Sequence, residues 1–323
     1  MEIRKTLRRF REFGGWRLVR AYWRMGVLGT AMAEALKMLF GRTSKDAAYE
    51  RVQRKLAPRF YRQYHPLLIE LKRKYTAQEL PHDNCGRIWF CWLQGMEAAP
   101  DFVKTCLCSL RRNIPEREAV VVTLDNYRHY TALPADIEEK FRQGKMPPAL
   151  FSDLLRLALL CDHGGTWMDA SVLCTGHNFP DRVLTCDLFL FQVVLPGPYR
   201  FRGLSNWFIT SCSHNPLLLT LRDMLFHYWH THDYTLNYYL FHQFFGWLAQ
   251  EFPDEVAAMP RGNRLPPLRL GSHLADPFDA QWWEQLTSYC AFHKVNYREA
   301  ERVKNHPGTV YAHIVETYSP ACL

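Results

Sequence analysis

The sequence predicts an α/β protein: a mixed, mainly parallel sheet flanked by helices, with a helical and basic N-terminal extension. Three observations predict it. Arg87-Ile88-Trp89-Phe90-Cys91-Trp92 and Ala119-Val120-Val121-Val122-Thr123-Leu124 are β-type runs separated by a helical stretch that opens at Pro100. A strand–helix–strand unit of that length gives parallel pairing. The stretch from Ser152 to Ser171 reads as a leucine-rich helix, a Gly164-Gly165 turn and a strand that ends on Asp169. Finally, Arg and Lys are interleaved with aromatics through the first 80 residues.

In chain order, residues 1–80 are expected to be helical and residues 81–323 to form the main domain. Arg4, Lys5, Arg8, Arg9, Arg11, Arg17, Arg20 and Arg24 mix with Phe10, Phe13, Trp16, Leu18, Val19, Tyr22 and Trp23, as in an interfacial helix. This arm either lies on an anionic membrane or docks on the main domain. A second basic helix is expected over 46–75, with a break or kink at Pro66. The apolar stretch 25–40 contains Glu34 and Lys37 and falls short of the roughly 20 apolar residues of a membrane span. Neither a transmembrane helix nor a cleaved signal is expected. Further strands are expected at 188–194, stopped by Pro196-Gly197-Pro198, and at 205–210. Helices are expected at 137–142, 216–229 and 233–245, the last rich in aromatics that mostly belong to the core. Residues 251–277 read as loop, 282–286 as the start of a final helix or strand, and the segment after Tyr297 as polar and mobile.

With 48% hydrophobic residues the chain of 323 can bury a substantial core. Its net charge of +8 suits an anionic partner such as anionic lipid or a phosphorylated substrate. No recognised nucleic-acid module accompanies the charge, so nucleic acid is not expected as a partner. The 10 cysteines form no framework. Cys106-Leu107-Cys108 and Cys161-Asp162-His163 are the only tight groupings, which argues against a zinc site and for reduced thiols in a cytoplasmic protein. A P-loop, a G-x-G-x-x-G after the first strand, an H-E-x-x-H and a G-x-S-x-G are all absent, which weighs against a P-loop kinase, a Rossmann dehydrogenase, a zincin and an α/β-hydrolase.

What remains is chemistry at strand ends. Trp92 closes the first strand, Asp125 the second, and Asp169 the third, while Asp153 and Arg156 share one helical face. An aromatic plate beside carboxylates suits a nucleotide, with the ring on the base and the acids on ribose hydroxyls or a divalent metal. The plainer alternatives are a helix–turn–strand whose acid caps something, and an Arg156 that is a buried partner of Asp153 or Asp169.

Ser152-Asp153-x-x-Arg156, followed by Gly164-Gly165-Thr166-Trp167-Met168-Asp169-Ala170-Ser171, resembles the central motif of GT-A-fold glycosyltransferases around glycosyltransferase family 32. It is most similar to the bacterial capsular polysaccharide synthesis proteins. Ile88 to Gly95, Asp125-Asn126-Tyr127, Ser205-Asn206-Trp207-Phe208 and His293-Lys294-Val295-Asn296-Tyr297 resemble further blocks of that family in the same order. The resemblance covers residues 45–315. It implies a GT-A-like fold and a nucleotide-sugar donor, with a UDP-sugar favoured. The acceptor would be a capsule or lipopolysaccharide-type glycan precursor, free or lipid-linked, and transfer would retain anomeric configuration. Trp92 would stack on the base, Asp153 and Arg156 would grip the donor sugar, and Asp125 and Asn206 would complete the donor site. Asp169 would belong to an Asp-x-Asp element that holds a divalent metal, Mn or Mg. Here Ser171 stands where the wider superfamily has a second Asp. Either Asp169 works with a late group such as His293, with His273, His306 and His313 as rivals, or metal binding is weak, or Arg and Lys substitute. The expected location is cytoplasmic, with a peripheral hold on the inner face of the membrane. A non-catalytic nucleotide-sugar or glycan-binding protein at the membrane surface is the competing class.

Overall fold

The computed structural model describes residues 14–193 and 203–319. The basic and aromatic residues from Arg4 to Phe13, Val194 of the expected strand and its Pro196-Gly197-Pro198 stop lie outside them.

Three helices come first: α1 (Trp16–Arg24), α2 (Leu28–Leu39) and α3 (Lys45–Thr76). The Ser44 side chain caps α3 by accepting from the Ala47 amide. The expected break at Pro66 does not occur, because α3 runs on through both Pro58 and Pro66. A proline inside a helix costs about 3 kcal/mol. Here the buried stripe Val52, Leu56, Phe60, Tyr64, Leu68, Leu71 and Tyr75 offsets that cost. Phe60 stacks on Phe244 at 5.6 Å between ring centroids. From Phe60 onward the stripe enters the same core as Trp89 and Leu154, so that part of α3 is built into the sheet's own packing. Glu34 accepts from Arg51 and Lys37, both at 2.7 Å, which ties α2 to α3.

The sheet region follows as β1 (Ile88–Cys91), α4 (Asp101–Asn113), β2 (Ala119–Val122), α5 (Ala135–Arg142), α6 (Pro148–His163), β3 (Gly165–Asp169), β4 (Val172–Cys174), α7 (Arg182–Thr185), β5 (Leu188–Gln192) and β6 (Leu204–Ser211). The main sheet has the order β2-β1-β3-β6-β5. β1 pairs in parallel with β2 and β3, and β6 pairs antiparallel with β3 and β5. Four of the five strands therefore run one way, as the sequence predicts. Pro148 opens α6, where its missing N–H is no loss. Leu154, Leu155, Leu157, Leu159 and Leu160 are wholly buried beneath the sheet. The turn into β3 needs both glycines. Gly164 and Gly165 have φ of 67° and 93°, and a Cβ would meet Asp83 O at 2.4 Å and Arg87 O at 2.7 Å respectively.

The remainder is α8 (Pro216–Thr231), α9 (Leu240–Glu251), α10 (Pro253–Ala258), α11 (Leu265–Arg269), α12 (Ala280–Tyr289), β7 (Phe292–Lys294), α13 (Tyr297–Val303) and α14 (Val310–Thr317). β7 pairs antiparallel with β4 in a second, two-stranded sheet. Three expectations need correction here. Residues 233–239 are not helical. Asn237 Oδ1 accepts from the Tyr239 amide at 2.9 Å, and the Tyr228 hydroxyl takes the Leu236 amide and donates to Tyr234 O. Side chains have captured the backbone groups a helix would use. Residues 251–277 are not a plain loop, since prolines at the first turns of α10 and α11 start helices there. The chain beyond Tyr297 is ordered into α13 and α14, each capped by a side chain, Asn296 and Thr309.

Candidate active site

The site forms where several strand ends meet. The parallel pairing of β1 with β3 sets Cys91 opposite Asp169, and Trp92 is the next residue out. β6 runs the other way, with Met168 opposite Phe208, so its beginning brings Asn206 to that same edge. α6 lies against the sheet with Asp153 and Arg156 towards the edge. β4 leaves β3 through Ala170 and Ser171, and its pairing of Val172 with Lys294 delivers the end of β7 to the site. Together they line a cavity of about 760 Å³, with Tyr238, Tyr239, Tyr297 and Arg298 among its further walls.

A chain of polar contacts runs along the floor. Asp153 Oδ1 accepts from Asn206 Nδ2 at 2.9 Å and from Arg156 Nη1 at 2.6 Å. Arg156 Nη2 reaches Asp169 Oδ1 at 3.0 Å, and Trp167 Nε1 donates to that oxygen at 2.9 Å. Lys294 Nζ donates to Asp169 Oδ2 and to Ser171 Oγ, both at 2.8 Å. The Arg156 guanidinium sits 4.8 Å from the Trp167 ring centre, a cation–π contact that helps it tolerate burial. Burial, only partly offset by Arg156, pushes the Asp153 carboxyl up to about 6. Burial works the same way on Asp169, but Lys294 and Arg156 outweigh it and hold that carboxyl below its ordinary value. Asp169 is therefore ionised at neutral pH.

Trp92, Asp153, Arg156, Asp169, Ser171 and Asn206 all line the cavity. The Trp92 ring meets Tyr297 edge-on at 5.3 Å, which leaves two rings at right angles in one wall. Arg156 is 3% exposed and bound to both carboxylates, so it is a partner of Asp153 and Asp169 rather than a free grip on a sugar. Asp125 is not brought to the cavity. It lies three residues past the end of β2, the outermost strand on that side, one strand beyond β1, and its side chain is exposed there. His293 is not brought there either. Its Nε2 lies 3.0 Å from Thr175 Oγ1, and burial lowers its pKa to about 4, which keeps the ring neutral. Successive residues of a strand point to opposite faces, so burying His293 turns Lys294 towards the cavity. Of the rival histidines, His273 pairs with Asp276 at 2.7 Å and His313 stacks on Phe278. They and His306 stand outside the lining.

The donor set also bears on the metal. Among the described residues, no group of three or more His, Cys, Asp or Glu could hold a metal ion. At Asp169 a divalent cation would find one carboxylate and one hydroxyl, where Mg²⁺ and its kin take about six oxygens. It would also find an ammonium already bound between the two. Ser171 and Asp169 fit a lysine better than they fit a metal. Lys294 was legible in principle: it follows His293 in the family-like stretch, and strand alternation separates the two. Tyr238 and Tyr239 were expected in the core as part of a helix and instead form a wall, because 233–239 is irregular.

An aromatic-walled cavity with ion pairs on its floor, at the carboxyl edge of a mostly parallel sheet, defines the class: an α/β protein with a polar, aromatic-walled cavity at its strand ends. The family model described as capsular polysaccharide synthesis protein matches residues 37–314, and the chain belongs to that family. The match spans α3, the sheet and every residue of the cavity floor. Comparison with curated proteins found no match. Among solved structures, PaToxG glycosyltransferase is similar at 15% identity and a TM-score of 0.39, over 62% of this chain and 79% of that one.

Proposed function

We propose that the chain is a glycosyltransferase, moving a sugar from a nucleotide-sugar donor to a cell-surface glycan precursor of the capsule or lipopolysaccharide type. One observation carries the reading: in a chain of a capsule-synthesis family, Asp153, Arg156 and Asp169 form one connected floor beneath Trp92 and three tyrosines. The aromatic wall suits the base, with a UDP-sugar favoured. The carboxylates are acceptors for sugar and ribose hydroxyls, and three cations against two carboxylates in the lining suit a diphosphate. In the reaction, an acceptor hydroxyl oxygen bonds to the anomeric carbon and loses its proton to solvent. The bond from that carbon to the diphosphate breaks, and its electron pair stays on the diphosphate. Retention of configuration follows from the resemblance of the motif. The negative charge of that leaving group would be met by the cations of the lining, since Asp169 and Ser171 fit a lysine better than a metal.

The test is a panel of nucleotide-sugars, scored for binding and hydrolysis by the purified protein with and without Mn²⁺ or Mg²⁺. Asp169→Asn is expected to lower turnover by about a hundredfold; unchanged turnover would remove the site. Binding of a donor with no turnover for any acceptor would favour the binding-protein reading instead.

A cytoplasmic chain held on the inner membrane face fits the same role. What supports it is the surface of α1 and α2, where Trp16, Trp23, Leu36, Leu39 and Phe40 are exposed beside Arg17, Arg20 and Arg24. No helix among the described residues is long and apolar enough to cross a membrane. Sedimentation with phosphatidylglycerol vesicles should bring down the wild type, and Trp23→Glu with Leu39→Glu should remain in the supernatant.

A further inference from the structure

We propose that Lys294 takes the position a divalent metal would occupy, so that the donor's diphosphate is held by a protein ammonium and no metal is needed for it to bind. The inference rests on the donor reading above and names how that donor's charge is met. It comes from three features. The ammonium lies 2.8 Å from both Asp169 Oδ2 and Ser171 Oγ, the two side chains of the Asp-x-Asp-type element. A cation placed between those oxygens would have to displace it. Second, Asp169 Oδ1 is already taken by Arg156 and Trp167, so both carboxylate oxygens have donors. One carboxylate and one hydroxyl with these commitments are a poor set for a hard cation. Third, the Lys294 side chain is 22% exposed on the cavity side of β7. An ammonium has three N–H donors. Two are used, on Asp169 and Ser171, which leaves one for a phosphate oxygen. Lysine meets phosphate as a compact point charge, and Arg298 adds a second cation at the rim of the same lining.

Ser171 then has a different meaning from a lost metal ligand. A second carboxylate there would grip the ammonium more strongly and cancel the positive charge a diphosphate needs. A hydroxyl holds the ammonium in place by one hydrogen bond and leaves its charge available.

The experiment is calorimetric titration of the full chain with UDP and with GDP, each in EDTA and in millimolar Mn²⁺ or Mg²⁺. The wild type is expected to bind at least one of them with affinities that agree within about twofold between EDTA and metal. Lys294→Ala is expected to weaken that binding by about tenfold or more in EDTA, with Lys294→Arg recovering most of it. Joining Ser171→Asp to Lys294→Ala builds a dicarboxylate in place of the ammonium, and binding should then require Mn²⁺. Wild-type binding that appears only with metal overturns the inference and leaves the glycosyltransferase reading standing. Binding to Lys294→Ala equal to wild type in EDTA also overturns it. If neither nucleotide nor any nucleotide-sugar binds under any condition, the donor reading fails and the inference with it. The wild-type comparison holds even if a variant does not fold.

Discussion

The two ends of the ionic chain on the cavity floor see different amounts of water. At one end Arg156 is 3% exposed and lies between Asp153 and Asp169. At the other, the Lys294 side chain is 22% exposed and that of Asp169 26%. Both ends pair a cation with a carboxylate at hydrogen-bond distance. A buried cation is committed, because removing its partners would strand a charge in a low-dielectric interior. A cation that faces a cavity can exchange part of its bonding for a ligand. The buried end fixes where the carboxylates are; the open end is where an anion can be met.

The largest expected effect breaks the buried end. Arg156→Met leaves Asp153 and Asp169 without their shared cation, and loss of one partner of a buried pair costs about 3–5 kcal/mol. Urea unfolding should register that cost in full. Lys294→Ala should cost about 1 kcal/mol or less in the same measurement, as partly solvated pairs do, while losing nucleotide binding. If the two variants were destabilised equally, the contrast between the ends would be wrong.

A second effect sharpens the contrast within two adjacent residues. His293 is wholly buried while Lys294 reaches the cavity. Burial lowers the His293 pKa to about 4, below the value of about 6.5 for an unfolded chain. The unfolded state therefore takes up the proton first. Stability on this account is complete above about pH 6.5 and declines as the pH falls towards 4, by about 2 kcal/mol at pH 5. Between pH 7 and pH 5 the wild type should lose about that much more stability than His293→Gln, measured by urea midpoints at each pH. Equal losses would mean that His293 is hydrated or charged in the folded protein, and the alternation that aims Lys294 at the cavity would lose its support.

Much of the fold and part of the site were legible from sequence, and the division has a physical cause. The strands of the main sheet, α4 and α6 carry local signals: β-type runs, a leucine stripe, and two glycines at a turn that excludes any Cβ; the short β4 and β7 carry none and were not expected. Trp92, Asp153, Asp169 and Asn206 stand at strand ends or on a helix face, so period and topology bring them together. Asp125 misled because strand ends look alike in sequence, and only the order β2-β1-β3 reveals that its strand lies one too far out. The wall of Tyr238 and Tyr239 was hidden because the Asn237 and Tyr228 side chains capture nearby backbone groups that the aromatic spacing assigns to a helix. Strand alternation after His293 could have pointed to Lys294, but its partners come through β4, a strand more than a hundred residues away in the chain.

The smallest effect asks most directly what Ser171 is for. Ser171→Ala removes the one hydroxyl that holds the Lys294 ammonium beside Asp169. A hydrogen bond of this kind is worth about 1 kcal/mol, so UDP affinity should fall by about fivefold. The size matters less than its dependence on metal. If Ser171 acts only by holding an ammonium, the loss is the same in EDTA and in Mn²⁺, because the ammonium is present in both. If Ser171 is itself a metal ligand, the loss appears in Mn²⁺ and vanishes in EDTA. One substitution, titrated twice, therefore tells a positioned lysine from a depleted metal site at the open end of the floor.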